Sequence, residues 1–295
     1  MSAILVKDHQ LDRSIESKEP ESASSSASAP FEKDARIYEY ALAANPVLTP
    51  MPVAVHDASL HEHGPTRVIV FDNSEKLEID YPCSSPNLLA AFLKICPNES
   101  LSTDAIATSQ AFYVIRGSGQ SITEFGAIDW SEGDLFVVPA AEKTIVHTAA
   151  TDSALYWIND EPLLKYLGVK PCTQRFQTTV FKRERMLAAV EEIRHAPGAE
   201  HKNRLGILLG NKTTADSTKT LTHTLWALLN TIPAGDAQRP HRHNSVALDL
   251  CASAEVGDKV YTNMGPELGE DGWVKNPIKC VWKSGTVFST PPGWW

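Results

Sequence analysis

Long apolar runs are missing from this chain, and none approaches the roughly twenty residues needed to cross a bilayer. The opening stretch, MSAILVKDHQLDRSIESKEP, lacks the apolar core of a secretory signal. Basic charge is also short: 27 Lys and Arg face 36 Asp and Glu, a formal net charge of −9. A nucleic acid or an anionic membrane needs a basic surface, so neither is an expected partner. The five cysteines (Cys83, Cys96, Cys172, Cys251, Cys280) are odd in number, scattered, and include no CxxC pair. That pattern argues against a disulfide framework and for reduced thiols in a cytoplasmic protein.

What is present is a chain of 295 residues with 42% hydrophobic content, enough for a sizeable core. The segment SIESKEPESASSSASAP has little to bury, and residues 1–34 read as a disordered tail. One helix is expected at FEKDARIYEYALAAN. Residues 35–160 read mainly as strands: TRVIVFD, NLLAAFLKI, QAFYVIRG, GDLFVVPA and SALYWIND are short β-branched or aromatic runs between turn formers. Residues 161–218 form a partly helical connector, with helical spacing in EPLLKYLGV and FKRERMLAAVEEIRHA. Strand character returns over residues 219–295, in TLTHTLWALLNTIPAG, SVALDLCAS, KVYTNMG, IKCVWKSG and GTVFSTPPG. EGDLFVVPA and SGTVFSTPP share a Gly, five residues, then Pro, so the two β units read as a duplication.

The chemistry-bearing stretch is GDAQRPHRHNSVALDL, which starts at Gly235. On a strand, Arg239, His241, His243, Ser245, Ala247 and Asp249 would share one face. Two imidazoles about 7 Å apart along that face can converge on one metal ion. Arg239 on the same face is a candidate for binding a substrate carboxylate.

Gly235, five residues, His241, one residue, His243 resembles motif 1 of the cupins, small barrels of the RmlC-like jelly-roll type. Where that motif continues to a Glu, this chain has Ala247 or Leu248. Gly285, TVFST and Pro291 resemble motif 2, which runs Gly, five residues, Pro, four residues, His; the sequence reaches Trp295, one position before that His. A His pair without the Glu, preceded by Arg239 and Pro240, is similar to the three-histidine gentisate and salicylate 1,2-dioxygenase-like bicupins. The resemblance implies an all-β fold of two cupin (double-stranded β-helix) barrels joined by a partly helical connector. The second barrel is expected to be incomplete: a fragment, a shortened product, or a barrel completed by a partner chain's strands. It further implies a non-haem Fe(II) held by His241 and His243, with other divalent ions admissible. A hydroxylated aromatic acid or related small metabolite and O2 would be its partners, no catalytic side chain is expected, and a homo-oligomer stays open. In that family the iron commonly sits in the first barrel, whereas here the histidines lie in the second.

In the first unit Gln110 stands at the motif 1 Glu position, and no histidine lies between Thr103 and Ile106. Gly133 and Pro139 fit motif 2, but Thr144 occupies the His position and His147 lies three residues on. This barrel is expected to be structural. His61 and His63, in HEH, read as a polar loop, and His223 as a packed histidine. Two other readings stay open: a non-catalytic metabolite-binding bicupin, and a metal-dependent isomerase or lyase on the same barrel.

Overall fold

Residues 32–44, 48–202 and 204–295 are described by the computed structural model, and the chain divides into two units, Met1–Leu48 and Thr49–Trp295. Most of the tail expected over 1–34 lies outside the described residues. In the first unit the expected long helix is a single turn, α1 (Tyr40–Ala43), whose N-cap Glu39 accepts from the amides of Ala41 (3.0 Å) and Leu42 (2.8 Å). Those two bonds hold the Glu39 carboxyl below its ordinary range. None of the helix residues is buried, so nothing offsets the cost of nucleating further turns.

The second unit begins with β1 (Val55–His56), α2 (Ser59–Glu62), β2 (Arg67–Val70) and α3 (Ser74–Leu77). There follow β3 (Leu89–Ile95), β4 (Ser100–Thr103), β5 (Ser109–Arg116), β6 (Ser118–Thr123), β7 (Gly126–Ser131), β8 (Leu135–Pro139), β9 (Ile145–Ala149) and β10 (Ser153–Asn159). With β11 (Thr179–Phe181), antiparallel pairing orders them into a six-stranded sheet, β11-β8-β5-β10-β3-β2, and a four-stranded sheet, β4-β9-β6-β7. Alternate residues of both sheets meet in one core: Leu93, Phe112, Phe136, Leu155 and Trp157 from the first, Ile128, Trp130 and Ile145 from the second. This is the sandwich form of a jelly roll.

The six-stranded sheet is buried on its outer face too, which is why LAAFLKI carries no alternation. Ala90, Phe92 and Tyr156 pack there against Phe71 and Val287, with Leu248 and Leu250 alongside. Ala111 and Val137 pack under Phe176, Met186, Leu209, Leu221 and Leu225. The later elements are α4 (Glu161–Leu167), α5 (Arg183–Arg194), β12 (Leu205–Leu209), β13 (Ala227–Thr231), β14 (Ala247–Leu250), β15 (Tyr261–Met264), β16 (Ile278–Val281) and β17 (Val287–Thr290), of which α5, β12, β13, β14 and β17 supply the cover. Asp134, on the turn into β8, caps α5 from outside by accepting from the Arg183 amide (2.9 Å) while pairing with Lys182.

Pairing ignores the order of the chain. β12 pairs with β13, β15 with β16, and β17 lies between β14 and β1, so Val55 sits opposite Phe288. The stretch 161–218 thus carries two strands besides its helices, one on each side. Among the described residues no helix is long and apolar enough to cross a membrane, and all five cysteines are free thiols.

His147 sits at the centre of the first sandwich with no exposed surface. Its Nε2 meets Thr103 Oγ1 (3.0 Å) and its Nδ1 meets Ser121 Oγ (2.7 Å), while Trp130 donates to the same Ser121 oxygen (2.9 Å). Burial pushes its pKa down to about 3. The unfolded chain binds this proton from about pH 6.5 downward and the folded chain does not, so stability falls as the pH drops through that window. The expected slope is about 1.4 kcal/mol per pH unit between pH 6 and 4 from this group. Chemical denaturation of the native protein and of His147→Gln across that range checks it: the variant should lose about that much slope, and an unchanged slope would contradict the assignment.

Candidate metal centre

His241 and His243 lie on a segment without strand pairing between β13 and β14, so the regular alternation expected from Arg239 to Asp249 begins only at Ala247. Gly235 turns the chain there with φ of +86°, and Pro240 has no amide to give a ladder. The imidazoles nevertheless face each other, with ring centres 5.1 Å apart at an interplanar angle of 82°. With metal–nitrogen bonds of about 2.1 Å, two imidazoles on one ion near a right angle have ring centres about 4.5–5 Å apart. The ring spacing of the pair is of that order. Among the described residues no third His, Cys, Asp or Glu completes a metal-capable group. Burial, together with the Arg204 charge, holds both histidines below the usual imidazole range, His243 adding to the effect on His241. They are thus kept in the neutral form that binds metal.

The two marked stretches are neighbours. β14 pairs with β17, Ala247 opposite Thr290 and Leu250 opposite Val287. Beyond the strands the Gly293 amide donates to the His243 carbonyl (2.7 Å), and Trp295 and Gly265 exchange two backbone bonds (2.8 and 3.0 Å). Arg242 lies over the Trp295 ring at 4.8 Å, and Trp226 stands 6.0 Å from His243. Arg204 and Trp226 are neighbours that motif spacing does not mark. Arg204 falls in the stretch read as connector, and Trp226 is one aromatic within an apolar run.

Arg239 stays next to the pair, its backbone hydrogen-bonded to His241. Arg239 lines an open cleft of about 840 Å³ with Arg194, His195, Lys202 and Gln238, and neither His241 nor His243 lines it. His223 is exposed. In the first sandwich Gln110 is buried and accepts from Trp157 Nε1 (3.1 Å).

His61, read as part of a polar loop, is a buried pin between the two β units, on α2 rather than on a loop. Arg116 Nη1 donates to its Nδ1 (2.6 Å), and arginine has only donors, so the proton must sit on Nε2 and point to the Gly285 carbonyl (3.1 Å). Arg116 also pairs with Asp152 (3.0 Å), which takes Lys94, almost wholly buried, as its second partner. Gly285 itself has φ of +84°, and a Cβ there would lie 2.9 Å from His61 Nε2 and 3.3 Å from Ile115. The turn opening the motif 2 stretch is therefore clamped to the first sandwich.

No family model matches the chain. A 5-aminosalicylate 1,2-dioxygenase from a Comamonas species is 31% identical over 84 residues, which is 28% of this chain and 22% of that protein. The match thus spans about a fifth of the relative's length. Among solved structures, salicylate 1,2-dioxygenase from Pseudaminobacter salicylatoxidans superposes with a TM-score of 0.55 at 14% identity, covering 84% of this chain and 81% of that one. A point mutant of the same enzyme gives 0.57 at 15% identity over 88% and 83%, and another variant, in complex with gentisate, 0.55 at 14% over 86% and 80%. The fold is that of a bicupin. At these identities the structural likeness is one of fold, and it spans both β units of this chain.

Gly285→Ala is expected to destabilise the protein by roughly 2 kcal/mol, since it adds left-handed strain to a clash with His61. Urea unfolding measures it. Gly126→Ala, at a left-handed turn with open space around it, is the control that carries the strain alone.

Proposed function

We propose that this bicupin is a mononuclear non-haem Fe(II) oxygenase acting on a small hydroxylated aromatic acid. The observation that carries the reading is the facing pair His241 and His243, held neutral and locked by Gly293 to the motif 2 stretch. These two side chains would hold the metal. Bound Fe(II) would supply one-electron chemistry with O2 and a template for substrate.

The rest of the site suits such a substrate. Arg204, whose charge acts on both histidines and on Asp249, is the cation available to an aromatic acid's carboxylate. Trp226, half exposed beside His243, offers an apolar wall to a ring. The 31% identity to a 5-aminosalicylate dioxygenase agrees with a ring-cleaving oxygenase without naming the substrate. In the first barrel Thr103, Ser121, His147 and Gln110 are engaged by neighbouring side chains, which favours a structural role for it.

Metal content and O2 uptake test the proposal together. Anaerobic loading with Fe(II) is expected to leave about one ion per chain, and His241→Ala or His243→Ala to lower retention at least tenfold. With gentisate or salicylate as probes, O2 consumption should require both iron and substrate. Binding of the probes without O2 uptake would instead make the protein a metabolite-binding bicupin. Turnover without O2 would make it an isomerase or lyase.

A further inference from the structure

β17 carries the chain to Gly293, whose amide holds the His243 carbonyl at 2.7 Å, and α2 holds the turn that leads into β17. Lys283 pairs with Asp57 (3.4 Å) and Glu62 (3.1 Å), and Thr286 Oγ1 accepts from the Ala58 amide (3.2 Å). The Lys283 pairs are exposed at both ends, and such pairs contribute little. The buried contact is His61 to the Gly285 carbonyl: this ring is 1% exposed and stands edge-on to Phe92 at 4.4 Å.

Its geometry admits one protonation state. Nδ1 faces the Arg116 guanidinium, which can only donate, and Nε2 faces a carbonyl, which can only accept. A second ring proton would set N–H against N–H and a positive charge against the guanidinium, in a place closed to solvent. The other charges nearby are engaged. Arg116 and Lys94 share the Asp152 carboxylate, Glu62 is taken by Lys283, and Arg67 spends its donors on the Leu60, His63 and Pro65 carbonyls. Burial, with the Arg116 charge after it, holds His61 below the ordinary imidazole range, against the pull of the Gly285 carbonyl and Glu62. A second half-buried imidazole, His56 on β1, stacks on Phe71 at 3.9 Å and lies opposite Val287 of β17.

We propose that Arg116 and His61 form an acid-released latch between the two β units: protonation of His61 breaks its contacts with Arg116 and Gly285 and frees the turn before β17, while the first sandwich stays folded. With the latch open His61 binds a proton below about pH 6.5, and with the latch closed it does not. The closed state therefore loses ground as the pH falls through that range. Through β17 and Gly293, opening also loosens the segment that carries His241 and His243. Cys251 reports it, because the Gly285 amide donates to the Cys251 carbonyl (2.8 Å) and the Cys251 amide to the Thr286 carbonyl (2.9 Å). Its thiol is buried while the turn is in place.

Labelling of the full chain with a pyridyl disulfide tests the latch, read peptide by peptide and divided by the rate of the urea-unfolded chain at the same pH. Between pH 7 and 5 the Cys251 rate should rise at least fivefold, with near-ultraviolet circular dichroism unchanged. His61→Gln, whose amide keeps one acceptor and one donor but does not titrate, should hold the rise below twofold. Arg116→Gln, which can turn its amide oxygen toward a protonated Nδ1, should flatten the rise too, and it decides the matter if His61→Gln already labels fast at pH 7. His147→Gln, which removes the buried imidazole of the first sandwich, should keep the full rise. A flat native profile overturns the proposal, and so does a rise that survives in His61→Gln and thus belongs to His56 or another group. A rise lost equally in His147→Gln is unfolding of the whole chain and overturns it as well.

Discussion

Everything else in this structure follows from a sheet that has to be covered twice. In β3, Ala91, Leu93 and Ile95 enter the core of the first sandwich, while Ala90 and Phe92 point outward with equal need of burial. β10 repeats the arrangement with Leu155 and Trp157 inside and Tyr156 outside. Left open, that outer face would offer a contiguous apolar patch to solvent. The chain closes it with its own later half: α5, β12 and β13 over one end, β14 and β17 over the other. The second β unit is thus half of the first unit's core as well as a neighbouring barrel.

That shared burial explains why the candidate site has a fixed position although its own interior is thin. The cluster around Met264, Cys280 and Phe288 is small beside the fifteen buried residues of the first core. Precision has to be imported. Tyr156 reaches the Leu248 carbonyl at 3.4 Å, His61 reaches Gly285, and β1 adds a strand to the edge of β17. Ser289 ties that edge further, donating to Pro52 O (3.0 Å) and accepting from the Ala54 amide (2.9 Å). The strands that flank His243 are therefore held from behind by residues far away in the chain.

Sequence patterning reached the parts of this arrangement that local chemistry dictates. Continuous apolar runs such as LAAFLKI and SALYWIN announced themselves as strands because both faces are buried. Gly285 and Pro291 were visible because a left-handed turn and a stiff strand exit demand those residues. The four-stranded sheet was not visible: SLST, SGQSIT and GAIDWS are half exposed and rich in Ser, Thr and Gly, so patterning does not mark them. Spacing singled out His241 and His243, but not Arg204 or Trp226. Arg204 and Trp226 lie outside the marked stretches, and Pro240 interrupts the strand that spacing suggested from Arg239 to Asp249. His61 was misread for a related reason, since its partners Arg116 and Gly285 lie 55 and 224 positions away.

The contrast between the two β interiors gives the functional argument its direction. In the first, Thr103, Ser121, Trp130 and His147 complete one another's hydrogen bonds, and Gln110 takes Trp157. A buried polar network that satisfies itself has nothing left for a ligand, and the surrounding rings exclude one sterically. In the second, two imidazoles stand edge to face on an unpaired segment with ring centres 5.1 Å apart, His241 open to solvent and His243 half-buried. Groups carried on a segment outside the paired sheets, and open to solvent, can meet a ligand without disturbing the core behind them. That contrast favours the second unit as the place where a ligand enters.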